Sequence, residues 1–189
     1  MQAEKVTIIP IQPSTHVRST QGDRWLFRVP ESIIEGYDDK KLVETGKRGG
    51  NMRRKMQLEK YNAYKEEIRW WVKKNGFQMP LGYFAIWFCI PFPKSWEPRK
   101  SKCRDMEGQP HQSTPDCDNL LKAFFDSVMP RANKAKGEKG ADDRKIHCYA
   151  AFKVWVRPEN ACIKIVEYGG NDFLAAFSFA PDNSQEWKC

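Results

Sequence analysis

The sequence predicts an α+β domain, a single mixed β-sheet with two main helices packed on one face. Three observations carry that prediction. Residues 5–10 (KVTIIP), 83–92 (YFAIWFCIPF), 146–156 and 161–168 are apolar or β-branched runs of strand length. Residues 53–74 and 119–129 carry helical periodicity instead. The order strand, helix, strand, helix, two strands then suits a sheet covered by helices. A chain of 189 residues fits one domain, with residues 1–169 as its body and 170–189 as a tail that packs on it or stays partly mobile.

Composition excludes several classes. Seven Trp and eleven Phe in a chain that is 40% hydrophobic can fill a core, which rules out wholesale disorder. The longest apolar run stops at Pro91, well short of the ~20 residues a membrane helix needs. The start, MQAEKVTIIP, has no basic segment followed by an apolar one and does not read as a secretory signal. A cytoplasmic protein with a formal charge of +8 is expected, and that excess suits an anionic partner.

Taking the elements in order, Pro10 and Pro13 cannot donate to a ladder, so residues 5–10 read as an edge strand. Gln21-Gly22-Asp23 suggests a turn into the apolar run 25–29. Residues 30–51 lose all pattern and hold four glycines among charges, so they read as a mobile loop. In residues 53–74, Tyr61, Tyr64, Ile68, Trp71 and Val72 make one apolar face, and Asn75-Gly76 supplies the stop. The approach to this helix is strongly basic. With its glycines it is a candidate phosphate-binding loop, although a charge run is more often a solvated face. Residues 83–92, apolar on both faces, predict a central strand. Residues 93–115 read as a long loop, and the turn Arg157-Pro158-Glu159-Asn160 as the bend of an antiparallel hairpin.

The six cysteines have no CxxC spacing, so free thiols are expected; a zinc site from Cys103, His111 and Cys117 is a weak alternative.

The chemistry is concentrated in residues 114–126 (TPDCDNLLKAFFD) and Asp142-Asp143. Pro115 pushes Thr114 to extended backbone, and Asp118 or Asn119 is expected to cap the helix that follows. Asp118, Lys122 and Asp126, four residues apart, are expected on one side of that helix. If the chain is extended at Asp116, its carboxylate and that of Asp118 leave the same side. Convergent carboxylates repel unless a cation lies between them, and oxygen-only ligands suit Mg²⁺, with Mn²⁺ as a substitute. Asp142 or Asp143 would bring a third carboxylate, and Lys122 a positive charge where a phosphoryl transition state gathers negative charge. Each acid alone is more simply a cap, a helix ion pair or a turn. Four acids and a lysine around one helix start, in a chain of +8 charge, favour a metal site facing a polyanion.

At these residues the sequence resembles the RusA family of Holliday junction resolvases. The family pattern, Pro-Asp-x-Asp-Asn-Leu-x-Lys-x-x-x-Asp followed by Asp-Asp before a strand, stands here as PDCDNLLKAFFD and ADDRKI, with PFPKSWEPRK and GQPHQSTPD upstream. The chain departs from the pattern in its long basic segment 130–141, in Lys145 where Gln is usual, and in Val128 where Leu is common. The resemblance implies a RusA-like fold and a Mg²⁺-dependent homodimer that nicks four-way DNA junctions symmetrically in recombination and repair. It implies Asp116, Asp118 and Asp143 as metal ligands, Lys122 as the catalytic lysine, and Asn119, Asp126 and Asp142 in support. Basic residues expected on DNA backbone phosphates are Lys47, Arg48, Arg53, Arg54, Lys94, Arg99, Lys100, Lys134 and Lys136. Trp96 is a candidate wedge at the junction centre, although most Trp residues belong to cores. The rival readings are a non-catalytic nucleic-acid-binding module and a metal-dependent nuclease acting on other branched DNA or on RNA.

Overall fold

A computed structural model describes residues 5–17, 20, 23–46, 49–80, 82–96, 100–129, 146 and 148–169. The expected tail lies outside these residues. Four strands, β1 (Lys5–Ile9), β2 (Tyr83–Pro91), β3 (Cys148–Val156) and β4 (Cys162–Tyr168), form one sheet in the order β1-β4-β2-β3. β1 pairs antiparallel with β4, β4 antiparallel with β2, and β2 parallel with β3. The α+β class, the edge position of β1 and the central position of β2 agree with the sequence.

The expected hairpin does not form. β3 and β4 run in opposite directions, but β2 lies between them, and the 3-10 turn Pro158–Asn160 carries the chain past the end of β2. Both edges of β2 are thereby paired, one with β3 and the other with β4.

The two long helices expected from periodicity are α3 (Asn51–Asn75) and α5 (Cys117–Val128). Tyr61, Tyr64 and Ile68 of α3 and Leu120, Ala123 and Phe124 of α5 close over Phe84, Ile86 and Phe88 of β2 in the main core. α3 stops at Gly76, whose φ of 60° is left-handed and whose N–H reaches Val72 O.

Three further helices occupy stretches in which the sequence predicts no helix. A single turn, α1 (Asp23–Leu26), stands where an apolar run was noted. The supposed mobile loop holds a 15-residue helix, α2 (Glu31–Thr45). Periodicity missed it because α2 buries only Ile34 and Asp38, while Ile33, Tyr37, Leu42 and Val43 stay exposed, Val43 to 88%. Ile34 joins Leu26 and Leu58 in a small second core. In the long loop after β2, a 3-10 turn (Lys94–Trp96) and α4 (Lys100–Met106) are formed.

Candidate active site

The acid-bearing loop is fixed from the sheet outward. Successive β3 side chains leave opposite faces, so Ala151, Lys153 and Trp155 share one face, and Ala151 packs there against the core that holds α5. Residues 108–111 run beside β3: Gly108 N–H donates to Trp155 O at 2.8 Å, Trp155 N–H to Gln109 O at 3.0 Å, and His111 N–H to Lys153 O at 2.9 Å. Gly108 has φ +77°, which favours glycine. Lys153 Nζ then donates to Ser113 O at 2.7 Å and Pro115 O at 2.8 Å. One ammonium thus holds two carbonyls of the loop that delivers Asp116. In the sequence Lys153 was only a polar position in a strand, and its role went unnoticed.

Asp116, with φ −71° and ψ 149°, is the N-cap residue of α5; the cap is neither Asp118 nor Asn119. Its carboxylate makes no capping hydrogen bond. Helical backbone begins at Cys117, so only Asp116 is extended and Asp118 already lies in the first turn. The alternation of an extended chain therefore does not relate the two acids. What relates them is Cys117, which packs against the main core between two exposed carboxylates. Burial raises the Cys117 thiol pKa and the Asp118 charge adds to this, while Lys153 opposes it, so the residue stays a thiol. Lys122 is exposed one turn further along α5. The side chains of Asp116, Asp118 and Lys122 make no hydrogen bond or ion pair with another described residue.

Asp126 does not join them. His16 Nε2 lies 3.6 Å from its Oδ2, Tyr61 OH reaches the same oxygen at 3.5 Å, and Arg69 donates to its main-chain oxygen at 3.4 Å. Eight residues advance a helix about 80° beyond two full turns, enough to carry Asp126 from the Asp118 side onto α3. Burial and the Asp126 charge push the Tyr61 hydroxyl up to about 12. Asp126 therefore fastens α5 to α3. Asn119 holds the same helix start from its backbone, its carbonyl accepting from His16 N–H at 3.1 Å.

The donor set at the start of α5 fits a hard cation, because carboxylate oxygens are its preferred ligands. Among the described residues no group of three such ligands occurs, and the expected third, Asp142 or Asp143, lies outside them. Five described cysteines, Cys89, Cys103, Cys117, Cys148 and Cys162, are free thiols.

The basic positions divide. Arg54 is committed internally: its Nε and a terminal nitrogen clasp the buried Asp23 at 3.1 and 3.0 Å, which holds that carboxyl down to about 2. Arg53 is exposed. Lys94 and Lys100 begin the 3-10 turn and α4, while Lys47, Arg48, Arg99, Lys134 and Lys136 lie outside the described residues. Of the glycines before α3, Gly49 serves an internal anion. Asp38 of α2 accepts from Asn51 N–H, Asn51 Nδ2 and Met52 N–H at 3.3, 2.9 and 3.0 Å, and a Cβ on Gly49 would strike that carboxylate. The place where a phosphate-binding loop would hold its ligand is filled by Asp38.

The sequence profile described as Endodeoxyribonuclease RusA matches residues 40–165. The chain belongs to the RusA endodeoxyribonuclease family. The match spans every candidate residue from Lys47 to Asp143, and also Lys153. Cleavage of DNA is the chemistry of this family. No curated protein and no solved structure matches the chain. No helix among the described residues is long and apolar enough to cross a membrane.

Proposed function

We propose that the chain is a Mg²⁺-dependent, structure-selective endonuclease that resolves four-way DNA junctions by paired symmetric nicks, in recombination and repair. The observation that carries this reading is the uncommitted pair Asp116 and Asp118 at the start of α5, with Lys122 one turn on, inside the span that matches the family. Asp116, Asp118 and Asp143 would hold Mg²⁺, or Mn²⁺ in its place, with Asp142 beside them. Bound there, the ion supplies a water of lowered pKa and polarises the scissile phosphate.

The chain's own residues do the rest. Cys117 and Lys153 fix the backbone from which the two carboxylates project. Lys122 offers its ammonium to the charge that builds on the phosphate oxygens or on the leaving 3′-oxygen. A 5′-phosphate and a 3′-hydroxyl, sealable by ligase, are the products. Lys47, Arg48, Arg53, Lys94, Arg99, Lys100, Lys134 and Lys136 contact backbone phosphates, giving affinity and salt dependence without sequence choice. Arg54, occupied with Asp23, leaves that set. Two symmetric nicks need two active sites, and a two-fold homodimer is the economical arrangement.

The test compares nicking of a four-way junction, a replication fork, linear duplex and a structured RNA, with Mg²⁺ and with chelator. Metal-dependent nicking confined to the four-way junction is expected. Equal cleavage of forks or RNA would make the chain a nuclease of another substrate class. Tight binding without cleavage would make it a binding module.

A further inference from the structure

Beside the acid loop lies a pocket of about 390 Å³ lined by Trp96, Trp155, Met106, Gln109, Gln112 and Ser113, with Pro110 at its edge. From this arrangement we infer that the pocket receives one unstacked nucleobase of the strand lying at Asp116 and Asp118. The inference rests on the nuclease reading above and extends it from the scissile phosphate to a neighbouring base.

The pocket's composition selects its occupant. Among the described residues that line it there is no carboxylate or histidine to hold a metal ion and no cation to hold a bare phosphate. Its apolar lining includes the half-buried Trp96 and the buried Trp155, whose ring centroids are 5.0 Å apart. Its polar groups are two side-chain amides and a hydroxyl, which both donate and accept hydrogen bonds. Flat aromatic walls with amide edges suit a heteroaromatic base, since every base has a π-face to stack and a donor–acceptor edge to read.

The walls are held from behind. Phe92 stacks on Trp96 at 5.8 Å and on Trp155 at 6.0 Å, and the buried His111 ring lies 3.9 Å from Trp155. Cys103 Sγ donates to Trp96 O. Lys102 Nζ sits 4.0 Å over the Trp96 ring, a cation for the phosphate attached to an inserted base.

Position ties the pocket to the acids. Ser113 lines it, and Ser113 O accepts from Lys153 Nζ, which also holds Pro115 O. Three residues of chain separate Ser113 from Asp116, a span of at most about 10 Å. A strand presenting its phosphate to Asp116 and Asp118 brings an adjacent base to the pocket mouth. Unstacking that base costs a few kcal/mol and least where pairing is already broken, so the pocket favours branched over continuous duplex DNA.

The experiment measures binding of four-way junctions by fluorescence anisotropy without metal. One junction is intact, and a series carries a single abasic residue at each position around the crossover. For the unaltered protein, one abasic position should weaken binding about tenfold, and Trp96→Ala should weaken binding of the intact junction about as much. Combined, the two losses should not exceed either alone, because both remove one contact. Trp96→Phe, which keeps a ring, should stay within about threefold of the unaltered protein. Gln112→Ala, a change at an exposed side chain that spares the core, should show the same coupling on a smaller scale. Insensitivity to abasic residues at every position, or losses that multiply, would overturn the inference. Trp96→Ala that lowers Tm without touching affinity would do so too, by making the indoles purely structural. Nicking with Mg²⁺, measured alongside, separates the two readings: nicking without coupling removes the pocket, and coupling without nicking removes the nuclease.

Discussion

At the start of α3 the backbone N–H groups of Asn51 and Met52 already hold an anion, the carboxylate of Asp38, and Gly49 makes room for it. At the start of α5, Asp116 makes no capping bond, and Asp118 and Lys122 stand exposed and unpaired with any described residue. Both helix starts were candidate phosphate chemistry in the sequence, one through its cations and glycines and the other through its acids. The structure separates them by whether their charges are spent. At α3 the Asp38 carboxylate is balanced by backbone donors and Arg54 by Asp23, while Arg53 stays exposed. At α5 only the neighbours are spent: Cys117 in the core, Asp126 on α3, and Lys153 on the loop carbonyls.

The largest expected break in this contrast is Asp116→Asn. It should lower junction nicking about a thousandfold or more, a loss of several kcal/mol in transition-state stabilisation, with the melting temperature within a degree or two of the unaltered protein. Rates under single-turnover conditions and a thermal melt check both parts.

Next in size is Lys153→Met, which strands the carbonyls of Ser113 and Pro115 without their charged donor. A stability loss of about 2 kcal/mol is expected, together with a ten- to hundredfold fall in nicking rate beyond what unfolding explains. Denaturant melts and rates normalised to folded protein separate the two. Lys153→Arg, keeping the charge and donors, should recover part of the rate.

How much of this contrast was legible beforehand depends on where the signal lay. The acids of α5 were readable because their spacing is local and their pattern dense: Asp116, Asp118 and Lys122 lie within seven residues. Lys153 was not, because its partners are 38 and 40 residues away and nothing in a strand pattern says which side chain reaches a loop. Asp38 was hidden for the same reason, since its partners at 51 and 52 belong to the next helix. α2 escaped because so much of its apolar surface is exposed that no stripe stands out. The hairpin was misread because a short turn fits both a direct pairing and a step over one intervening strand, and nothing local in the sequence separates the two.

The α3 side of the comparison makes the opposite prediction. Asp38→Ala leaves the Asn51 and Met52 N–H groups without their acceptor and should cost about 2 kcal/mol of stability. Gly49→Ala should act in the same direction by crowding that carboxylate. Neither should change the nicking rate per folded molecule. A rate loss beyond the unfolded fraction would bring the α3 start into the active site.

An effect of similar size on stability, confined to acid solution, is a pH dependence. Arg54 holds the Asp23 carboxyl down to about 2, below its ordinary value of 3.8, so folding favours the ionised form. The resulting stability is complete above about pH 4 and is lost as pH falls toward 2. It amounts to about 2 kcal/mol. Asp23→Asn should flatten that part of the stability profile, as read by denaturant midpoints between pH 2 and 5, and leave nicking at neutral pH unaltered.

Whether the uncommitted acids of α5 form the cutting site is decided by the rate at which Asp118→Asn nicks a four-way junction in Mg²⁺, with junction affinity measured on the same sample. Nicking is expected to vanish while affinity is kept or tightened, because the substitution would remove a metal ligand and one negative charge from the surface proposed to face DNA. Nicking at the rate of the unaltered protein would contradict that assignment.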